Sequence, residues 1–259
     1  MVFQEDAYYW PTDSTRTLHV YLPDDYDQTD ERYPVMYMFD GQNLFYDSHA
    51  TYGKSWGLKE YLDNWDKKLI VIGLECGHEG FTRLDEYSPY PLTMLGHRID
   101  PLGEQTFQWI INDVKPLVDR DLRTWPHREA TGIGGSSMGG IMSLYGAIAH
   151  NDVFSKAACL STGVRLVGPM VRRDLSHALI NPDTRIYLGW GEGEGGRTPK
   201  HKDPATDSPE ARATRSLARE LTRTGASVDV YFQEGGQHNE ASWELQNPRY
   251  LDFLWKGTD

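Results

Sequence analysis

Short, continuous apolar runs alternate along this chain with longer amphipathic stretches, and no other feature narrows its fold so far. The runs that read as strands are Leu18–Leu22, Val35–Phe39, Leu69–Leu74, Thr131–Ile133, Ala157–Leu160, Ile186–Gly189 and Val228–Phe232. A run such as Leu69-Ile70-Val71-Ile72 has no polar alternation, so it fits a strand covered on both faces. The stretches between carry helical spacing. Ile110, Val114, Leu117 and Val118 share one helical stripe, with Pro116 set to kink or bound that helix. Further helices are expected after Gly139, across Glu210–Thr224, and from Glu240 to Trp255 with a break at Asn247-Pro248. The pattern is that of an α/β protein, a mostly parallel central sheet with helices on both faces.

With 259 residues and neither linker nor repeat, the chain reads as one domain over 1–259 with a substantial core. The formal net charge of −12 weighs against nucleic-acid partners and anionic membrane surfaces. No apolar run approaches the roughly 18 residues a bilayer span requires. Cys76 and Cys159 sit in apolar runs and read as buried thiols. The first residues lack the basic and apolar regions of a leader, so a soluble cytoplasmic protein is expected. Gly189–Pro209 is rich in Gly, Pro, Thr, Asp and Lys and is long for a plain connection. Composition alone does not decide whether Gly195–Pro209 covers a pocket as a lid.

The chemistry is carried first by Gly135-Ser136-Ser137-Met138-Gly139, set between a strand-like run and a helix-like run. Gly-x-Ser-x-Gly in that context is a nucleophile elbow, a turn tight enough to push a serine hydroxyl clear of the backbone. Only small neighbours permit the close approach and the strained dihedrals. The motif centres on Ser137, because Ser136 has Met138 where a glycine would be required.

A serine hydroxyl is a poor nucleophile without a base. Of the nine histidines, His238 is best placed: it follows the last strand through Gln233-Glu234-Gly235-Gly236-Gln237. That is the carboxyl edge where open α/β sheets gather their chemistry, and it lies after the serine as the order Ser…Asp/Glu…His requires. The competing reading is a loop histidine capping the helix that begins near Asn239. His19 falls in a strand, His177 on a helix, His127 and His150 in turns, and His201 in the polar segment. His49, His78 and His97 occupy loops with no assigned chemistry. No pair shows metal-ligand spacing, so neither a metal nor another cofactor is expected.

A carboxylate must follow the next-to-last strand to hold the imidazole tautomer. Glu192 and Glu194 both lie just beyond Ile186–Gly189, and chain order alone leaves them tied. The oxyanion hole needs two backbone N–H groups. Met138, directly after the serine, supplies one, and Gln42, in the loop after Val35–Phe39, is the natural second.

With these residues assembled, the chain resembles the esterase family of α/β-hydrolases. That family contains enterobactin-type siderophore esterases, feruloyl and acetyl-xylan esterases, S-formylglutathione hydrolase and the antigen 85 mycolyltransferases. The likeness covers nearly the whole chain. It rests on Pro34–Phe45, Tyr52-Gly53-Lys54-Ser55-Trp56-Gly57, Arg83–Pro89, Gly134–Gly140 and Gly235–Trp243. The family pattern has a glycine after the strand and an acid a few residues on, which lays Gly191 and Glu194 on those places and leaves Glu192 as fallback. The resemblance also implies a place near the pocket for Trp56 and Arg83, as substrate contacts. An internal ion pair is the other reading for Arg83 and Glu86, and a core position the other for Trp56.

The function this implies is a serine carboxylesterase with a Ser137–His238–Glu194 triad. Its partner would be a small-molecule ester, whether acyl, acetyl-sugar or hydroxycinnamoyl. Cleavage of a siderophore tri-lactone and acyl transfer are the alternatives. A binding scaffold without activity is disfavoured, since all three triad types are present. The oligomeric state is not written in the sequence.

Overall fold

The computed structural model describes residues 1–195 and 208–257, and the chain divides into two compact units, Met1–Ile133 and Gly134–Asp259. In the first unit, β1 (Val2–Tyr9), β2 (Ser14–Tyr21), β3 (Val35–Phe39) and β4 (Ile70–Leu74) lie in the order β1-β2-β4-β3. β1 and β2 pair antiparallel, as do β2 and β4, while β3 and β4 run parallel. Every residue of β3 and β4 is buried, as their unbroken apolar character requires. β1 is not legible in the apolar pattern. It is an edge strand exposed along most of its length, held by its ladder to β2 and carrying Glu5 and Asp6 outward.

Four helices complete this unit: α1 (Leu58–Asp63), α2 (Thr82–Glu86), α3 (Gly103–Trp109) and α4 (Lys115–Asp121), with a small hairpin, β5 (Thr93–Met94) and β6 (His97–Arg98). The single helix expected around Pro116 is divided. α3 passes through a π-helical turn at Ile110–Val114, and Pro116 falls in the first turn of α4, where its missing N–H costs little. Ile110, Val114 and Val118 are buried, as the spacing predicts.

β7 (Thr131–Ser136) leads from the first unit into the second. It continues past Ile133 through Gly134-Gly135-Ser136, small residues that carry no apolar signal. The second unit then alternates α5 (Met138–Ala149), β8 (Lys156–Leu160), α6 (Val164–Leu175), β9 (Arg185–Gly191), α7 (Pro209–Arg223), β10 (Ser227–Gln233), α8 (Glu240–Glu244) and α9 (Asn247–Trp255). Its strand order is β7-β8-β9-β10, with β8, β9 and β10 parallel. The break before α9 falls where Asn247-Pro248 predicts it. α6 ends just before His177, and inside it Val164, Val167 and Val171 form a regular buried stripe. Pro169 sits on the exposed side, where the fold tolerates it. His177, expected on a helix, lies in the turn past the end of α6.

Among the described residues no helix is long and apolar enough to cross a membrane. Cys76 and Cys159 are both buried and unpaired. Most of the lid candidate, with Arg197, Lys200 and His201, lies outside the described residues.

Candidate active site

β7 ends at Ser136 and α5 begins at Met138, so Ser137 alone makes the turn between strand and helix. It adopts φ 57° and ψ −119°, a conformation that side chains normally avoid. The strain is held from both sides. The Ser137 N–H donates to the Leu160 carbonyl at 2.9 Å, and the Ser137 carbonyl accepts from Ile141 N–H at 3.1 Å. Met138 is buried at the first position of α5, so its N–H has no partner within the helix and lies at the positive end of the helix dipole.

The glycines in and beside the motif are there for space. A Cβ on Gly135 would lie 3.0 Å from the Gly139 carbonyl carbon, and one on Gly140 only 2.5 Å from the Leu160 carbonyl oxygen. Backbone atoms cannot swing aside as side-chain ends do. Gly140→Ala is therefore expected to destabilise the protein by about 3 kcal/mol in urea denaturation. A loss under about 1 kcal/mol would show that α5 can slide away from β8 at no great cost.

His238 lies in the loop between β10 and α8. The capping of α8 belongs to its neighbour: the Asn239 side chain accepts from Ser242 N–H at 3.1 Å. The imidazole is left for a different partner. His238 Nδ1 lies 2.9 Å from Glu194 Oε2, with the carboxylate side chain 1% exposed and the imidazole 46%. An ionised carboxylate can only accept, so Nδ1–H donates and Nε2 is the free nitrogen. Glu194 Oε1 accepts twice more, from Gly191 N–H and from the Ser161 hydroxyl, each at 2.7 Å. Trp243 packs against the imidazole with ring centroids 5.3 Å apart and planes at 78°.

Glu192, close to Glu194 in sequence, has a different task. Its Oε2 accepts from Gly235 N–H at 3.1 Å, while Gly193 N–H donates to the Gly236 carbonyl at 2.8 Å. Both bonds stitch the end of β9 to the loop that carries His238. A further carboxylate, Glu210 in the first turn of α7, accepts from Arg165 N–H near the start of α6. Burial pushes the Glu210 carboxyl up, against the lowering pull of the Arg165 and Val164 amides.

The end of β8 ties two of these segments together. Leu160 closes β8 and receives the Ser137 N–H, and the next residue, Ser161, bonds Glu194. The carboxyl end of β8 thus touches both the elbow and the acid loop. Ser161 and Trp243 are the participants that the sequence does not single out. No motif marks a serine one residue past a strand, and an aromatic at 243 reads as core.

Gln42, Trp56 and Arg83 belong to the first unit. Gln42 is buried in the 3₁₀ turn Gly41–Asn43 after β3, and its side-chain amide donates to Thr51 Oγ1 at 3.2 Å. Arg83 grips Asp40 through two bonds of 2.7 Å and stacks on Tyr87. Glu86 pairs instead with Arg16 and accepts from Gly77 N–H, so Arg83 and Glu86 do not form a pair with each other. Trp56 is buried, and its backbone N–H donates to the Asn43 carbonyl at 2.9 Å. These contacts fix the loop that carries Gln42. Four histidines of this unit are spoken for by carboxylates: His19 and His78 both bond Glu75, His97 bonds Asp85, and His127 bonds Glu129.

Comparison with known proteins adds to this geometry. The family model described as "Putative esterase" matches residues 11–254. The chain is 26% identical over 247 residues to the uncharacterized protein YbbA of Bacillus subtilis (strain 168), covering 93% of this chain and 92% of that one. Among solved structures it is similar to the BES protein from Bacillus cereus, with a TM-score of 0.76 and 16% identity over 98% of this chain and 94% of that one. It is also similar to an IroE-like serine hydrolase from Shewanella oneidensis, with a TM-score of 0.71 and 19% identity over 98% and 80% of the two chains. A mainly parallel sheet flanked by helices and a single-residue serine turn accord with these likenesses. The chain belongs to the family described as "Putative esterase" and is a carboxylesterase of the α/β-hydrolase fold.

Proposed function

We propose that the chain is one catalytic domain that hydrolyses small carboxylic esters through an acyl-enzyme on Ser137. His238 Nε2 takes the proton of the Ser137 hydroxyl and later returns it to the leaving alcohol. Glu194 holds the imidazole in the tautomer that leaves Nε2 unprotonated and stabilises the imidazolium that forms. The Met138 amide receives the oxyanion, a donor worth about 3 kcal/mol in the transition state, and Gln42 is the second donor that the chain order suggests. The observation that carries this reading is the bond from the half-exposed His238 to the enclosed carboxylate of Glu194. No cofactor enters the sequence of steps. The two buried thiols fit a reducing, cytoplasmic setting.

Small acyl, acetyl-sugar and hydroxycinnamoyl esters are the substrates this site suits. A catecholate tri-lactone is anionic and calls for basic side chains at the pocket; the sequence offers Arg83, Arg197 and Lys200 near the catalytic loops, of which Arg83 is committed to Asp40 and the other two lie outside the described residues. A fluorophosphonate probe tests the reading. It should label Ser137 in folded protein, as read by intact mass and peptide mapping, and leave heat-unfolded protein unlabelled. Hydrolysis that persists with Ser137 unlabelled would sink the assignment. A panel of esters with acetyl, longer acyl, feruloyl and acetyl-sugar members then ranks the substrates, and product partition toward added alcohol detects acyl transfer.

A further inference from the structure

One side chain without a part in the steps above bonds the carboxylate that holds the histidine. Ser161, 3% exposed, donates its hydroxyl to Glu194 Oε1, and its oxygen accepts the Trp243 indole N–H at 2.8 Å. An indole N–H can only donate. It therefore occupies a lone pair of Ser161 Oγ and leaves the hydroxyl proton pointing at Glu194. Gly191 N–H alone, at the same Oε1, would let the carboxylate plane turn about its terminal torsion. A second donor from a different strand end stops that rotation.

The backbone gives an independent argument. Ser161 sits at φ 51°, where glycine is free of strain, and Gly163, two residues on, meets the same need with glycine at φ 63°. The Ser161 N–H is fixed to the Gly189 carbonyl at 2.8 Å. A serine held there against backbone strain points to a use for its hydroxyl. Trp243 joins the two ends of the arrangement, since its N–H sets the direction of the Ser161 proton and its ring packs roughly perpendicular to that of His238.

We propose that Ser161, oriented by Trp243, is a positioning residue that locks the Glu194 carboxylate so that only Oε2 faces His238 Nδ1. This rests on the reading of His238 as base and Glu194 as its partner. Ser161→Gly removes the hydroxyl and relieves the strained φ. It is expected to lower kcat about ten-fold with KM within about two-fold, because the lost bond serves orientation rather than substrate binding. The low-field proton resonance of His238 Nδ1–H should move or broaden in the same variant. Trp243→Phe keeps the hydroxyl and an aromatic edge but frees the proton's direction, so kcat should fall about three-fold. In the double variant Trp243→Phe should add no further loss, because the two act through one bond. A kcat within two-fold of the parent in Ser161→Gly would overturn the proposal, and so would losses that multiply in the double variant. If Ser161→Gly does not fold, an unaltered kcat in Trp243→Phe overturns it alone. Failure of the fluorophosphonate to label Ser137 in the parent strikes the underlying reading instead, so the two failures are distinct.

Discussion

Ser137→Ala is expected to lower kcat on p-nitrophenyl acetate by about 10⁶-fold while the thermal midpoint stays within about 2 °C of the parent. No acyl-enzyme can form without the hydroxyl, so what remains is the rate due to oxyanion contacts and binding alone. Alanine keeps the Cβ, and with it the strain of φ 57° and ψ −119°, so folding should hardly respond. Ser137→Gly separates the two quantities. It is equally inactive, yet glycine occupies this conformation freely, and the fold should gain about 1 kcal/mol, or about 2–4 °C. Residual turnover above about 1% of the parent in Ser137→Ala would remove Ser137 from the mechanism. A midpoint that does not rise in Ser137→Gly would mean that the turn stores no strain.

Glu194→Gln should lower kcat by about 10³–10⁴-fold with little change in size or shape. The reason is the direction of one hydrogen bond. Oε1 accepts from both Gly191 N–H and Ser161 Oγ, so the amide oxygen of a glutamine takes that side. Its NH₂ then faces His238 Nδ1 and demands a lone pair there. The imidazole must carry its proton on Nε2, the nitrogen that has to receive the proton of Ser137. Glu192→Gln is the control. Glu192 bonds only a loop amide in the described structure, and its variant should keep kcat within about three-fold of the parent. A reversal of the two results would move the acid to Glu192.

Much of the candidate site was legible in the chain. Ser137 is marked because a strand–serine–helix turn admits few side chains, and the glycines around it are a steric signature that survives in sequence. His238 is marked by chain order and by the glycines before it. Glu192 and Glu194 are not separable that way. They lie in one Gly-Glu-Gly-Glu repeat, and which carboxylate turns inward depends on the 3₁₀ turn at Glu192–Gly195 and on donors from β8 and β9. Ser161 was illegible for the same reason, since its partners stand 33 and 82 residues away in the chain. For the fold, continuous apolar runs mark the buried strands, whereas β1 was hidden. An exposed edge strand has no buried face to write an alternation.

The sequence by itself determined the class of fold, the serine at the elbow and the histidine beyond the last strand, because sterics and chain order act locally. Only the tertiary structure decided that Glu194 rather than Glu192 bonds His238, that Arg83 is held by Asp40, and that Ser161 and Trp243 stand behind Glu194. Those are outcomes of hydrogen-bond competition among groups far apart in the chain. A donor or acceptor takes its partner from whatever packing brings within about 3 Å, and no local pattern records that.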